Sequence, residues 1–121
     1  MNLLLKCLCI LILVIPVAAN AACYEAISNG DDAYRYARRA YAETSLDAAQ
    51  SHVRKARNAA DDAKSAAELC GCNEAAQNFD DAYTYARRAY RSSDLSDLKF
   101  NARRVMLAAE AGKDAAQNCG S

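Results

Sequence analysis

The chain has 121 residues with 15 basic and 15 acidic side chains, and much of its 53% apolar content comes from 28 alanines. Balanced charge argues against binding nucleic acid through bulk positive charge. The charged quarter of the sequence, combined with clear apolar periodicity, argues against disorder. Scarce Gly and Pro argue against an all-β fold. A length near 120 residues fits one domain, which we expect to be all-α.

The first 22 residues have the layout of a secretory signal peptide. Lys6 precedes an apolar run, 7–19, after which Ala19 and Ala21 stand in an A-x-A arrangement. We expect cleavage after Ala21 or Ala22 and a periplasmic location, with secretion as the alternative. The apolar run is shorter than the roughly 20 residues that a spanning helix needs, so we expect no transmembrane span after cleavage.

The remainder of the chain is a tandem duplication with a period of 49 residues. Stretches of eleven residues that begin at Asp31 and at Asp80 agree at ten positions, and the two halves share 23 identities in 49 without a gap. Two copies are too few for a self-supporting solenoid. We therefore expect repeat 1 (23–71) and repeat 2 (72–121) to close into one compact domain, 23–121.

Each repeat has the apolar pattern of an antiparallel helical hairpin. Apolar residues from Leu46 to Cys70 recur at alternating spacings of three and four, and those from Leu95 to Cys119 follow the same register. This is the seam pattern of a coiled-coil-like helix. Half of the seam residues are alanine, and a buried methyl group contributes only about 0.8 kcal/mol. The sequence therefore predicts a bundle with a thin core.

The ends of the helices are marked by capping residues. Ser45 and Asp94 are good N-caps for the second helix of each hairpin, and Gly71 and Gly120 follow the last seam residues. Short connections make consecutive helices antiparallel neighbours, so the predicted architecture is a disulfide-stapled four-helix bundle. The expected helices are 24–43, 46–69, 73–92 and 95–118.

Four cysteines remain after cleavage, and all lie at one end of this bundle: Cys23, Cys70, Cys72 and Cys119. An even number in an oxidising compartment favours disulfides. Pairing Cys23 with Cys70 and Cys72 with Cys119 closes each hairpin. Each bridge would stabilise the fold by about 4 kcal/mol because it restricts the unfolded chain. Bonding Cys70 to Cys72 is disfavoured by disulfide geometry. Pairing Cys23 with Cys72 and Cys70 with Cys119 stays open.

Two other uses of the cysteines are considered. Four thiolates around the Cys-x-Cys element would suit a metal-handling or redox protein, although structural zinc sites more often use C-x₂₋₄-C pairs. Acylation of Cys23 would give a lipid-anchored envelope protein. The residue three positions before it is Asn20, where a bacterial lipoprotein signal usually has an aliphatic residue.

The sequence has no recognisable catalytic arrangement. His52 is the only histidine, and we expect it to be a surface residue. Glu-x-x-His pairs, a Gly-rich phosphate loop and a nucleophile elbow are all missing from the sequence. The paired acids at 31–32 and 80–81 diverge around a helix, so we expect them to bond to Arg35 or across the hairpin. We predict no enzyme activity, cofactor or metal.

A repeated Tyr/Arg element is the candidate binding patch. Tyr36 is followed by Arg39, and Tyr85 by Arg88. These residue types are common at binding hot spots, and would suit an anionic ligand, a sugar or a protein. Alternatively, the rings and arginine stems cover the alanine core. Each helix is close to neutral by count, which predicts no basic stripe for a polyanion.

Phe100 and Leu107 form the candidate contact face. They lie one heptad apart in repeat 2, where repeat 1 has Ser51 and Asn58. Apolar groups beyond the seam often mark either packing of one hairpin on the other or a partner site. We expect a contact face for a partner protein or a homodimer there, and core packing is the alternative. The sequence thus predicts a small, non-enzymatic periplasmic or secreted protein that binds a protein or ligand of the cell envelope.

Overall fold

The computed structural model describes residues 23–119, which form four α-helices and no strand. The helices are α1 (23–42), α2 (Leu46–Leu69), α3 (Asn73–Tyr90) and α4 (Leu95–Asn118). The all-α class is confirmed, with α2 and α4 as expected and α1 ending at residue 42, one residue earlier than expected. The signal peptide, its cleavage site and Gly120 lie outside the described residues. The 49-residue repeat stays a prediction from the sequence.

Helix α3 ends two residues earlier than expected because its last carbonyl groups find other partners. The hydroxyl of Ser92 donates to the carbonyl of Arg88 at 3.0 Å. Gln50 of α2 donates its side-chain amide to the carbonyls of Tyr90 at 3.3 Å and Ser92 at 3.5 Å. The carbonyl groups of Arg88 and Tyr90 at the end of α3, and of Ser92 just beyond it, thus have hydrogen-bond partners without a further turn of helix.

Both predicted N-caps are present. The Ser45 hydroxyl accepts a hydrogen bond from the Ala48 N–H at 3.2 Å. The Asp94 carboxylate accepts one from the Asp97 N–H at 2.7 Å. Each cap satisfies one of the free N–H groups at the start of its helix.

The connection between α2 and α3 is a Schellman turn centred on Gly71, the glycine that follows the last seam residue of α2. Gly71 has φ +75°. Its N–H donates to the Glu68 carbonyl at 3.1 Å, and the Cys72 N–H donates to the Ala67 carbonyl at 2.9 Å. Only glycine adopts this conformation without strain.

The four helices pack in cyclic order around the bundle. α3 packs extensively against α2 and α4, whereas α2 and α4 are diagonal to each other. A Cys23–Cys70 disulfide joins α1 to α2. An ion pair joins α1 to α4, with Lys113 Nζ 2.9 Å from Asp31 Oδ1.

A second ion pair mirrors the first. Lys64 of α2 lies 3.1 Å from Asp80 of α3, so each hairpin supplies one lysine and one aspartate. The hydrogen bond to Asp80 raises the pKa of Lys64. The bond to Asp31 raises the pKa of Lys113, against an opposing effect of burial. Asp31 and Asp80 thus bond to lysines of the other hairpin rather than to Arg35.

The core is as thin as the sequence predicts. Most of its residues are alanine, and Phe79, Leu98, Val53 and Val105 are the largest fully buried side chains. Leu69, a large apolar residue next to the last seam residue of α2, is exposed. Most of the apolar contact therefore comes from small side chains that let the helices approach closely.

Phe79 fills the space between α1 and α4. A Cβ added at Gly30 would lie 2.6 Å from Phe79 Cε1, and one added at Gly112 would lie even closer. Phe79 itself is fully buried. The ring therefore depends on two positions that have no side chain.

Replacing Gly112 with Ala should lower the free energy of unfolding by about 1–3 kcal/mol, because the methyl group overlaps Phe79. Helix propensity alone would raise it by about 1 kcal/mol, so the sign is decisive. Urea denaturation measures the change. In a Phe79→Leu background, which is the control, the same substitution should cost less. A gain in stability on Gly112→Ala would contradict the packing described.

Candidate functional site at the basic end of the bundle

The antiparallel order of the helices brings the two hairpin turns to one end of the bundle and the four cysteines to the other. We divide the described residues into two halves at the middle of each helix. The turn end comprises 34–57 and 83–106. The cysteine end comprises 23–33, 58–82 and 107–119.

Charge is segregated between these two ends. The turn end holds twelve of the Lys and Arg residues and four of the Asp and Glu residues, whereas the cysteine end holds two basic and eleven acidic residues. Their formal net charges are therefore +8 and −9. The expectation of no basic stripe was made from the net charge of each helix, which does not show this segregation. Each helix is close to neutral by count, but the order of charges along it is not random.

The cations of the turn end form no ion pair within residues 23–119, whereas both lysines of the cysteine end do. Ten of them are exposed, and Arg57 and Lys99 are partly buried. Ten are also arginines, whose planar guanidinium groups bind phosphate and carboxylate in a bidentate manner. The twelve residues are Arg35, Arg38, Arg39, Arg54, Lys55, Arg57, Arg87, Arg88, Arg91, Lys99, Arg103 and Arg104.

Helix stability accounts for this order of charges on α1 and α3 but not on α2 and α4. A helix favours acidic groups near its N-terminus and basic groups near its C-terminus. On α2 and α4, three of the four basic residues lie in the N-terminal half, and neither helix has a basic residue in its last turn. The four helices therefore share the segregation between the two ends of the bundle, whichever way the helix dipole points.

The predicted Tyr/Arg patch lies at the turn end but is divided between the hairpins. Arg39 lies over the ring of Tyr36 with its guanidinium carbon 5.7 Å from the centroid, and Arg88 lies over Tyr85 at 5.6 Å. Both rings also pack against the core. The rings therefore cover the alanine core and support cations on its surface, so the two alternatives considered for this element are compatible.

A second cation from the neighbouring helix lies over each of these rings. Lys55 of α2 is 5.8 Å from the Tyr36 centroid, and Arg104 of α4 is 5.4 Å from that of Tyr85. Cation–π contacts of this kind are worth about 0.5–1 kcal/mol at exposed sites. They hold the cations close to the bundle surface.

Exposed aromatic rings accompany the cations. Tyr41 is 45% exposed, Tyr90 40% and Phe100 57%. Arg104 also lies over Phe100, at 4.6 Å from its centroid. Rings and guanidinium groups thus share the turn end, which gives it apolar as well as positively charged groups.

Phe100 and Leu107 are surface residues on one side of α4, where Leu107 is 64% exposed. Leu107 lines an open groove of about 370 Å³ between α3 and α4, together with Asp81 and Arg104. The two residues are available for contact, and the contact itself stays a prediction.

Replacing Phe100 and Leu107 with Ser should leave the free energy of unfolding within about 0.5 kcal/mol of wild type, because neither side chain is buried. Leu98→Ser on the same helix is the matched control, and should lose several kcal/mol since Leu98 is fully buried. Thermal and urea denaturation measure both. Collapse of the double variant would show that these residues are core.

The cysteine end confirms one predicted disulfide. Cys23 and Cys70 are bonded, whereas Cys72 and Cys119 are thiols. Hydrogen bonding between these thiols is the main cause that raises the pKa of Cys119, and partial burial adds to it. Both thiols line an open cleft of about 660 Å³. The Cys72–Cys119 bridge stays a prediction.

Oxidised glutathione should close the Cys72–Cys119 bridge by exchange, with glutathione accepting the electrons and protons of both thiols. Because the attacking species is the thiolate, the raised pKa of Cys119 predicts slow closure at neutral pH and faster closure as pH rises. Peptide mapping and Ellman titration follow the reaction. Two thiols that persist in the denatured protein after this treatment would contradict the prediction.

Acylation of Cys23 and a metal site of four thiolates both need sulfur atoms that the Cys23–Cys70 disulfide occupies, whereas the redox alternative stays a prediction. The bond to Cys70 occupies the sulfur that acylation of Cys23 would need, and it removes two of four thiolates from a metal site. In the described part of the chain, no group of three or more His, Cys, Asp or Glu side chains is placed to hold a metal ion.

His52 is partly buried, not the surface residue expected. Its Nε2 lies 3.1 Å from Glu43 Oε1, while Nδ1 is buried without a hydrogen-bond partner. This pair links the first hairpin turn to α2.

No helix within 23–119 is long and apolar enough to cross a membrane.

The chain matches no protein-family model, and no curated protein or solved structure is significantly similar to it. The functional proposal therefore depends on the residues described above.

Proposed function

We propose that this is a non-enzymatic binding protein of the cell envelope that acts outside the cytoplasm and docks through its turn end onto an anionic membrane surface. The extracytoplasmic location is supported by the leader pattern of residues 1–22 and by the Cys23–Cys70 bond, which suits an oxidising compartment.

The observation that carries the proposal is the set of twelve cations without an ion pair at the turn end. Like charges gathered at one end repel one another, which opposes folding. An anionic partner would relieve this repulsion. Each Lys or Arg near an anionic lipid surface contributes about 1 kcal/mol, so a few contacts suffice for measurable binding.

The exposed rings favour a lipid surface over a small anion. Tyr41, Tyr90 and Phe100 can lie at the level of the lipid headgroups, where amphipathic aromatic side chains are favoured. The cleft beside Arg54 and Tyr90, of about 220 Å³, is open to solvent, and the more enclosed one beside Arg35 and Arg39 has only about 70 Å³. A flat lipid surface suits such an end better than a small ligand that needs enclosure.

Co-sedimentation with vesicles tests the proposal. The protein should bind vesicles of equal phosphatidylglycerol and phosphatidylcholine at 50 mM salt, lose binding at 500 mM salt, and ignore pure phosphatidylcholine, because salt screens exposed charges. Replacing Arg38, Arg91 and Arg103 with Gln should lower the partition coefficient about a hundredfold. Their side chains are exposed and form no ion pair, so folding should be unaffected.

A control with the same change in net charge separates a docking surface from a bulk effect. Ser65, Gln77 and Gln117 are exposed at the cysteine end. Replacing all three with Glu lowers the net charge by three, as the three arginine substitutions do. This variant should bind nearly as well as wild type. Equal losses in both variants, or equal binding to neutral vesicles, would refute docking through the turn end.

A further inference from the structure

We propose that two copies of this chain form a dimer by exchanging hairpins. Hairpin 1 consists of α1 and α2, and hairpin 2 consists of α3 and α4. In the dimer, hairpin 1 of each chain packs against hairpin 2 of the other, and the three residues 70–72 act as the hinge. The interface is the one already present within the monomer, and its partner is a second copy. This inference is independent of the membrane proposal.

The contacts between the hairpins are reciprocal. Lys64 of hairpin 1 bonds to Asp80 of hairpin 2, while Lys113 of hairpin 2 bonds to Asp31 of hairpin 1. Reciprocal pairs of this kind are typical of interfaces between two subunits related by a two-fold axis. They would form equally well between hairpins of different chains.

Phe79 restricts which hairpins can pair. Its ring lies against Gly30 of hairpin 1, where a Cβ would clash with it. Residues 30 and 79 are equivalent under the 49-residue offset. Two copies of hairpin 2 would thus bring two rings into one space, and two copies of hairpin 1 would leave that space empty. The ring therefore fits only where hairpin 1 packs against hairpin 2. Both the monomer and the exchanged dimer contain this pairing.

The hinge is short and depends on a single glycine. Gly71 has φ +75°, and a Cβ added there would have no neighbour within 4 Å. If residues 70–72 became helical, α2 and α3 would join into one long helix and the hairpins would separate. Short connections of this kind favour exchange between copies.

The cysteine pairing leaves the hairpins free to exchange. The Cys23–Cys70 bond lies within hairpin 1, and the neighbouring Cys72 and Cys119 thiols lie within hairpin 2. No disulfide joins the hairpins in the described residues. Exchange therefore breaks no covalent bond. Because the linked hairpins meet at a high effective concentration, the monomer dominates in dilute solution.

Two charge-reversed variants test the exchange, with free thiols capped by iodoacetamide. The acidic variant carries Lys64→Asp and Lys113→Asp, and the basic variant carries Asp31→Lys and Asp80→Lys. Within either monomer, like charges face each other. In an exchanged dimer containing one chain of each, all four opposite-charge pairs return. After the mixture is unfolded and refolded together, native mass spectrometry should show a heterodimer at least tenfold more abundant than either homodimer.

A matched pair of variants serves as the control for simple attraction between oppositely charged proteins. One control carries Arg54→Asp and Arg103→Asp, and the other carries Asp61→Lys and Asp114→Lys, so their net charges change by the same amounts as those of the test variants. All four positions are exposed and form no ion pair within residues 23–119. Their mixture should stay monomeric. Equal association in both mixtures, or monomers alone in the first, would overturn the proposal.

The hinge gives a second readout that does not depend on charge. Gly71→Ala introduces no clash but disfavours the left-handed turn, whereas Ala is the best residue for a continuous helix. Its dimer fraction, measured by light scattering after size exclusion, should correspond to an association constant at least tenfold above wild type. An unchanged constant with only a lower melting temperature would also overturn the proposal.

Discussion

The contact of Phe79 with Gly30 and Gly112 is the constraint on which the rest of the structure depends. Alanine layers bury little area, so the helices must approach closely to gain contact. One large ring fits in such a core only where two helices lack side chains. This combination fixes the relative position of α1, α3 and α4. It also makes the two hairpins complementary rather than interchangeable.

The same connectivity creates the polarity of the molecule. Two antiparallel hairpins with basic residues near their turns deliver those residues to one end, and the acidic residues to the other. Lys64 and Lys113 lie in the acidic half and are neutralised by Asp80 and Asp31. The other cations between residues 23 and 119 have no such partner, which makes the turn end the chemically distinctive part of the described surface.

Features that depend on local sequence could be predicted. The bounds of α2 and α4, the caps at Ser45 and Asp94, and the Gly71 turn follow from spacing and side-chain chemistry over a few residues. The antiparallel order of the helices brings Cys23 and Cys70 to one end and favoured their bond, but it left the pairing of Cys23 with Cys72 open.

Features that depend on distant residues could not be predicted in this way. The early end of α3 depends on Gln50, forty residues away. The clash that keeps residue 30 a glycine comes from Phe79 on another helix. The basic end was missed for a different reason, because counting charges per helix hides their order along the chain. The leader, its compartment and the Cys72–Cys119 bond stay predictions.

The disulfide formed within residues 23–119 lies inside one hairpin, so a protease that cuts the exposed peptide at Gly71 would release no fragment at once. It would leave two polypeptides held by noncovalent contacts, and dilution alone could then separate them.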